Sequence, residues 1–352
     1  MPEPKRDPAT LAAGVIGWDI GGVHVKAARV EDGQVVASAS RPFAIQHELE
    51  RLPDLLREMA AALGAREGTR HGVTMTAELS QRFATKAEGV FAIMDAVERA
   101  FPADAVRWLT SQGQFQPPAT ARLDPIGLAA ANWIATAIVV AIRVRSALVV
   151  DVGSTTTDLL PIVGHRNRVR GRTDPGRLAA GELLYLGAVR TPVEAIVHEV
   201  PLGYSTACVS AEGFALSGDV WLRLGRLDPA AYATPTPDGR GLGRDAVATR
   251  LARVVCADRT MLDDDAIDRI ARHVAESQVA RTARAVAALH RRWPEIDRVL
   301  TAGVGGFIAA EAAAAAGLPA EPLAGVMGGD DRHVPAAAVA LVLERAFGLG
   351  MT

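Results

Sequence analysis

Three segments of this chain combine polar groups with small residues in spacings that suit phosphate chemistry. The first is Trp18-Asp19-Ile20-Gly21-Gly22-Val23-His24-Val25-Lys26. A strand-ending carboxylate ahead of two glycines lets a phosphate approach main-chain N–H groups closely. Asp19 suits Mg2+, directly or through water, because hard cations prefer carboxylate oxygen. By strand alternation His24 and Lys26 face one side, where both can point into a cleft. The second segment is Asp151-Val152-Gly153-Ser154-Thr155-Thr156-Thr157-Asp158. Four consecutive hydroxyls after a Gly turn offer O–H and N–H donors to phosphate oxygens. Asp151 repeats the part of Asp19, and Asp158 is spaced to orient a metal-bound water. The third segment runs from Thr301 through Gly303 and Gly305 to Gly306. A strand opening into such glycines before a helix suits a nucleotide or phosphate at the helix N-terminus. The first and third segments also read as plain tight turns.

The elements that must carry these segments alternate between strand and helix, which makes the class α/β. Apolar strands are expected at 15–20, 23–30, from 35, 73–76, 146–152, 157–163 and 298–302. Helical spacing is expected over 49–63, 87–101, 127–142, 265–293, 309–317 and 336–347. One idea occurs twice, about 130 residues apart. In each copy an apolar strand ends in Asp, passes a small-residue turn and returns. Such a repeat decides the architecture. It predicts a flexible tail at 1–13, a first lobe over 14–143 and a second over 144–352. The Gly- and Pro-rich stretch around 199–244 reads as an irregular insertion in the second lobe.

Composition removes several classes. The 352 residues carry 38 Lys and Arg against 40 Asp and Glu, a net charge of −2, which disfavours a general nucleic-acid binder. The most hydrophobic stretch, 134–142, is too short for a bilayer, which needs about 20 residues. Cys208 and Cys256 form neither a disulfide framework nor a zinc motif. A cytoplasmic protein with no membrane partner is expected. Only Lys5, Lys26, Lys86, Asn132 and Asn167 interrupt a chain that otherwise writes Arg and avoids Asn.

Taken together, the two Asp-turn hairpins and the third Gly loop resemble the actin, Hsp70 and sugar-kinase superfamily. The resemblance implies a duplicated, RNase H-like, two-lobed fold. Further segments are similar to the hydantoinase A/oxoprolinase-like branch linked to tetrahydromethanopterin-dependent one-carbon transfer. They are Thr74 to Leu79 with Phe83 to Val90, Ala130 to Thr136, and Gly181 to Pro192.

That resemblance implies a transferase of methanofuran or methylofuran synthesis. It would join an aminomethylfuran-methyl diphosphate to the phenol of a glutamylated tyramine or tyrosine, releasing diphosphate. Mg2+ held by Asp19 and Asp151, with donors at Gly21, Gly22, Gly153 and Ser154, would stabilise the leaving group. ATP fits the fold but is not required by this reaction. Lys26, Lys86, Glu78 and Glu88 are alternative helpers for removal of the phenol proton. Arg82, Asn132, Glu182 and Arg190 join Thr155, Thr156, Thr157, Asp158, Gly303 and Gly305 as expected binding residues. Glu78, Arg82, Lys86 and Glu88 also read as a solvated turn and helix face. Asn132 also reads as a locally bonded helix residue, and Arg190 with Pro192 as a helix start. His165 and His198 read as structural. The partners implied are small molecules, with a homodimer compatible. The competing readings are an ATP-dependent kinase or amidohydrolase on this fold, and a non-catalytic nucleotide-binding regulator.

Overall fold

A computed structural model of the chain describes residues 14–348, and the tail expected at 1–13 lies outside them. Strands β1 (Val15–Ile20), β2 (His24–Glu31), β3 (Gln34–Pro42), β4 (Arg70–Met75), β5 (Val106–Leu109) and β6 (Phe115–Gln116) form one sheet, in the order β3-β2-β1-β4-β5-β6. β1 pairs antiparallel with β2 and parallel with β4. All six residues of β1 are buried, as a strand covered on both faces requires. One face packs on helices Leu52–Ala62 and Lys86–Ala100 through Ile16, Trp18, Ile20, Leu56, Val90 and Met94. Each such side chain contributes about 1.5–3 kcal/mol by leaving water. The other face receives helix Val334–Gly348 at Gly17, where a Cβ would lie 2.1 Å from the Ala336 carbonyl oxygen.

Strands β7 (Ser146–Val152), β8 (Thr157–Val163), β9 (Leu183–Leu184), β12 (Val299–Ala302) and β13 (Ala320–Pro322) form a second sheet, in the order β13-β12-β7-β8-β9. A separate hairpin joins β10 (Glu199–Leu202) and β11 (Ser205–Cys208). The two large sheets share one plan. Each Asp-bearing strand has its return strand on one side and two successive parallel strands on the other. The duplication read from the two Asp-turn segments is therefore a duplication of sheet topology.

The chain divides into two compact units, the first boundary falling at Arg145/Ser146 where the second copy of the repeat begins. Among the described residues, one unit holds 14–145, Ile162–Arg177 and 323–348; the other holds Ser146–Pro161 and Leu178–Pro322. The expected split at 143/144 lies beside that boundary, and what differs is the return of 162–177 and 323–348 to the first unit. Helix Val334–Gly348 belongs with β1 because its Ala336, Ala337 and Ala340 permit close backbone contact there.

The stretch 199–244 is irregular only in part. It supplies β10, β11 and helix Ser217–Arg223, whose Trp221 donates to Gln278 at 2.9 Å inside the second unit. Its Asp219 is gripped by Arg250 at 2.9 and 2.8 Å with both side chains wholly buried. The helix expected from Gly127 starts only at Asn132. Ala130 before it takes a left-handed φ of 48°, which breaks helical continuity. Among the described residues no helix is long and apolar enough to cross a membrane, and both cysteines are free and exposed.

Candidate functional site

In each unit the expected phosphate loop lies at the carboxyl ends of parallel strands, where open α/β sheets bind ligands. The two loops also close in the same way. The Gly21 N–H donates to the His24 carbonyl and the Gly153 N–H to the Thr156 carbonyl, both at 2.9 Å. Those two amides are thus spent on the turns, which corrects their expected part as phosphate donors. The donors that follow them are at Gly22 and Ser154. A Cβ on Gly22 would meet nothing within 4 Å, so a ligand has room to approach there.

In the first unit Asp19 is buried, and cross-strand pairing sets it opposite Lys26, whose Nζ stands 3.8 Å from Oδ2. His24 lies on the same side of β2, as alternation requires. Its pKa is pushed down to about 4 by burial, reinforced by Lys26, so the ring is neutral at pH 7.

The segment after β4 carries the most distinctive geometry. Glu78 is 1% exposed, and Lys86 Nζ lies 3.7 Å from its Oε1. Burial pushes the Glu78 carboxyl up to about 7, with Asp174 adding to the rise while Lys86 and the main chain oppose it. Glu78 Oε2 is buried without a hydrogen-bond partner. Half-burial works against the Lys86 ammonium, but Asp174 and Glu78 outweigh it and hold its pKa above the ordinary value.

Gly89 makes this contact possible. A Cβ there would fall 2.4 Å from the Glu78 carbonyl, so only glycine lets the first turn of helix Lys86–Ala100 lie against Glu78. Asp174 and Gly89 escaped the reading of the sequence. Asp174 lies 88 residues from Lys86 with no local pattern to join them.

The neighbouring charges have other duties. Glu88 accepts from the Ala84 N–H at 2.8 Å while Thr85 accepts from the Glu88 N–H at 3.1 Å, which caps the helix. The Thr-x-x-Glu spacing of Thr85 and Glu88 was the available signal. Arg82 is tied to Glu50 and the Gln46 carbonyl on the surface. In this structure Glu88 serves as a cap and Arg82 as half of a surface ion pair. Asn132 is half-buried at the first position of its helix, and its approach runs beside the end of β4 through the Met75–Ala129 bridge.

In the second unit Asp151 is half-buried at the end of β7 and paired in register with Ala302 of β12. Ser154, Thr155 and Thr156 are half-buried around the turn. Thr157 is not available to a ligand: it is wholly buried and donates to the Leu186 carbonyl at 2.6 Å. Asp158 stands past the turn on β8, opposite Leu183.

The segment Gly181 to Pro192 buttresses this loop. Ala188 donates to the Gly153 carbonyl at 2.9 Å, and Val189 and Arg190 donate to that of Ser154. The Arg190 guanidinium is exposed and reaches Thr155 Oγ1 at 3.4 Å, so it borders the loop, while Pro192 caps the short 3-10 helix Val193–Ala195 that follows. Glu182, expected at a ligand, is instead wholly buried 3.9 Å from Arg292. Packing requires glycine at 303 and 305. Gly303 has φ +82° with its Cβ position 2.3 Å from the Val152 carbonyl, and a Cβ at Gly305 would meet Val152 at 2.4 Å.

Comparison with known proteins agrees with the motif reading. The family model described as hydantoinase/oxoprolinase matches residues 70–322. The chain is 35% identical to (4-{4-[2-(gamma-L-glutamylamino)ethyl]phenoxymethyl}furan-2-yl)methanamine synthase of Methanocaldococcus jannaschii over 252 residues, 71% of this chain and 74% of that one. The protein of the same name from Methanococcus vannielii is 35% identical over 121 residues, 34% of this chain and 54% of that one. Among solved structures, nucleotide-free acetone carboxylase aligns at TM-score 0.54 and 12% identity, covering 93% of this chain and 70% of that one. That likeness concerns the fold alone, which is the duplicated, actin-like α/β fold that the motifs imply.

Proposed function

The chain belongs to the hydantoinase/oxoprolinase family, and from that premise we propose that it is an aryl-ether-forming transferase of methanofuran or methylofuran synthesis. In this reaction the C–O bond between a furfuryl carbon and diphosphate breaks, and diphosphate leaves with the bonding pair. The phenol oxygen of a glutamylated tyramine or tyrosine bonds to that carbon, and the phenol proton passes to a base. The similarity to the M. jannaschii synthase, whose name gives a phenoxymethyl-furan ether as its product, supports ether formation, and the diphosphate leaving group is part of the proposal. The observation in this chain that carries it is Glu78, buried and held near pH 7 beside Lys86.

A phenol has a pKa of about 10, and an ordinary carboxylate near 4 is a poor match for its proton. Glu78 is a stronger base than that and still ionises near neutral pH. Lys86 supplies positive charge for a phenolate forming beside it. Ser154, Thr155 and Arg190 suit the oxygens of a diphosphate by chemistry and mutual position.

Asp151, half-buried at that loop, fits Mg2+, which needs only one or two carboxylates besides phosphate oxygens and water. When bound, the ion would neutralise charge on the departing diphosphate. Asp19 fits a cation less well, because an ammonium already faces it at 3.8 Å. The reaction calls only for small-molecule partners, a cytoplasmic setting and a place beside tetrahydromethanopterin-linked one-carbon transfer.

The test is direct. Purified protein with Mg2+, the furan diphosphate and glutamyl-tyramine should yield the ether and diphosphate in equal amounts without ATP. Mass spectrometry reads the ether and a phosphate assay the diphosphate. ATP turnover with no ether formed would overturn the reading.

A further inference from the structure

Lys86 has two carboxylate neighbours at unequal distances. Its Nζ lies 2.6 Å from Asp174 Oδ2, a charge-assisted hydrogen bond, but 3.7 Å from Glu78 Oε1. The ammonium is therefore committed to Asp174 and only grazes Glu78. The second Glu78 oxygen, Oε2, is buried with no partner at all.

Asp174 is itself firmly held. It opens helix Asp174–Ala180 after a tight fold in which a Cβ on Gly171 would lie 2.4 Å from the Arg177 nitrogen. The Arg177 N–H donates to the Thr173 carbonyl at 2.8 Å. The buried Arg177 guanidinium sits 4.6 Å from the centre of the Trp133 ring. Asp174 thus stands on a segment anchored within the same compact unit as Glu78 and Lys86.

An ammonium bonded tightly to Glu78 would stabilise its carboxylate and make it a weak base. We propose that Asp174 is a positioning residue that draws Lys86 away from Glu78 and so keeps Glu78 able to accept a proton. The inference rests on the reading of Glu78 as the base for the phenol. The charged groups that act on Glu78 are Lys86 from one helix and Asp174 from this anchored segment.

The experiment is a carbon-13 NMR titration of the Glu78 carboxyl, assigned with Glu78→Gln, alongside the pH profile of kcat/KM. In the wild type the midpoint lies near 7. In Asp174→Asn the amide cannot hold the ammonium as strongly, Lys86 moves toward Glu78, and both midpoint and acid limb fall by about one pH unit. Asp174→Glu restores them. An unmoved midpoint in folded Asp174→Asn overturns the assignment while leaving the ether-synthase reading intact. A shifted midpoint in a protein that forms no ether keeps the assignment and overturns that reading. Should Asp174→Asn fail to fold, Asp174→Ser tests the same balance. Its loss of the carboxylate also lets Lys86 move toward Glu78 and lowers the midpoint, and a midpoint left near 7 overturns the proposal.

Discussion

Glu78→Gln should make the protein more stable and less active at once. The folded pKa of Glu78 is about 7 against 4.5 for the free side chain. Between those values the folded protein binds a proton that the unfolded chain releases. The contribution of the protonated carboxyl is full below pH 4.5 and is lost as pH rises through 7. At about 1.4 kcal/mol per pH unit, the gap is worth about 3 kcal/mol of cost above pH 7. Gln escapes that cost, so urea melts should show the variant nearly equal to wild type near pH 4.5 and more stable by about 3 kcal/mol at pH 8. His71 does not confuse the comparison. It is buried and neutral, with a pKa near 4, and weakens both proteins alike on the acid side. Ether formation should fall by about 10²- to 10⁴-fold, the usual contribution of a general base. A stability difference that does not change between pH 4.5 and 8 would refute the raised pKa. Activity within tenfold of wild type would refute the role.

Other substitutions separate structure from chemistry. Thr157→Val should cost about 1–3 kcal/mol in a denaturant melt by leaving the buried Leu186 carbonyl unmet, with KM for the diphosphate unchanged. Glu88→Ala removes half of a helix cap and should cost about 1 kcal/mol while kcat stays at the wild-type value. Gly89→Ala forces a methyl against the Glu78 carbonyl. It should cost about 1–3 kcal/mol and also lower kcat, because the turn that carries Lys86 must move.

Local signals made the sheets legible. The two Asp-turn hairpins declared the duplication because strand, turn and return are all short-range features. The long helix Asp264–Arg292 was equally plain from its apolar spacing. What stayed hidden depends on distant partners. Nothing in the sequence near Val334 says that its alanines close on Gly17, about 320 residues earlier. The Gly- and Pro-rich look of 199–244 concealed Trp221 and Asp219, whose burial depends on Gln278 and Arg250.

The candidate site divides in the same way. Residue type identified Glu78 and Lys86 but could not tell them from Arg82 and Glu88, since all four are charges within eleven positions. Only burial separates the pair from the surface charges. Gly21, Gly153, Gly303 and Gly305 look like phosphate-binding glycines, yet each is first accounted for by its own turn or by packing.

The scarcity of lysine now has a physical counterpart. The two described lysines occupy the same kind of place. Lys26 lies 3.8 Å from buried Asp19, and Lys86 lies 3.7 Å from buried Glu78. Arg250 grips buried Asp219 closely through two N–H groups, whereas Arg292 stands 3.9 Å from buried Glu182. An ammonium is a compact charge with three rotatable donors, so it can be drawn aside by another acceptor while still lending its field. The fork of an arginine lacks that freedom. At Glu78 the difference matters, because a carboxylate held through two N–H groups would surrender the basicity that its burial creates. In the proposed reaction the carboxylate beside Lys86 is the one that takes the proton, and there a chain that writes arginine almost everywhere keeps a lysine.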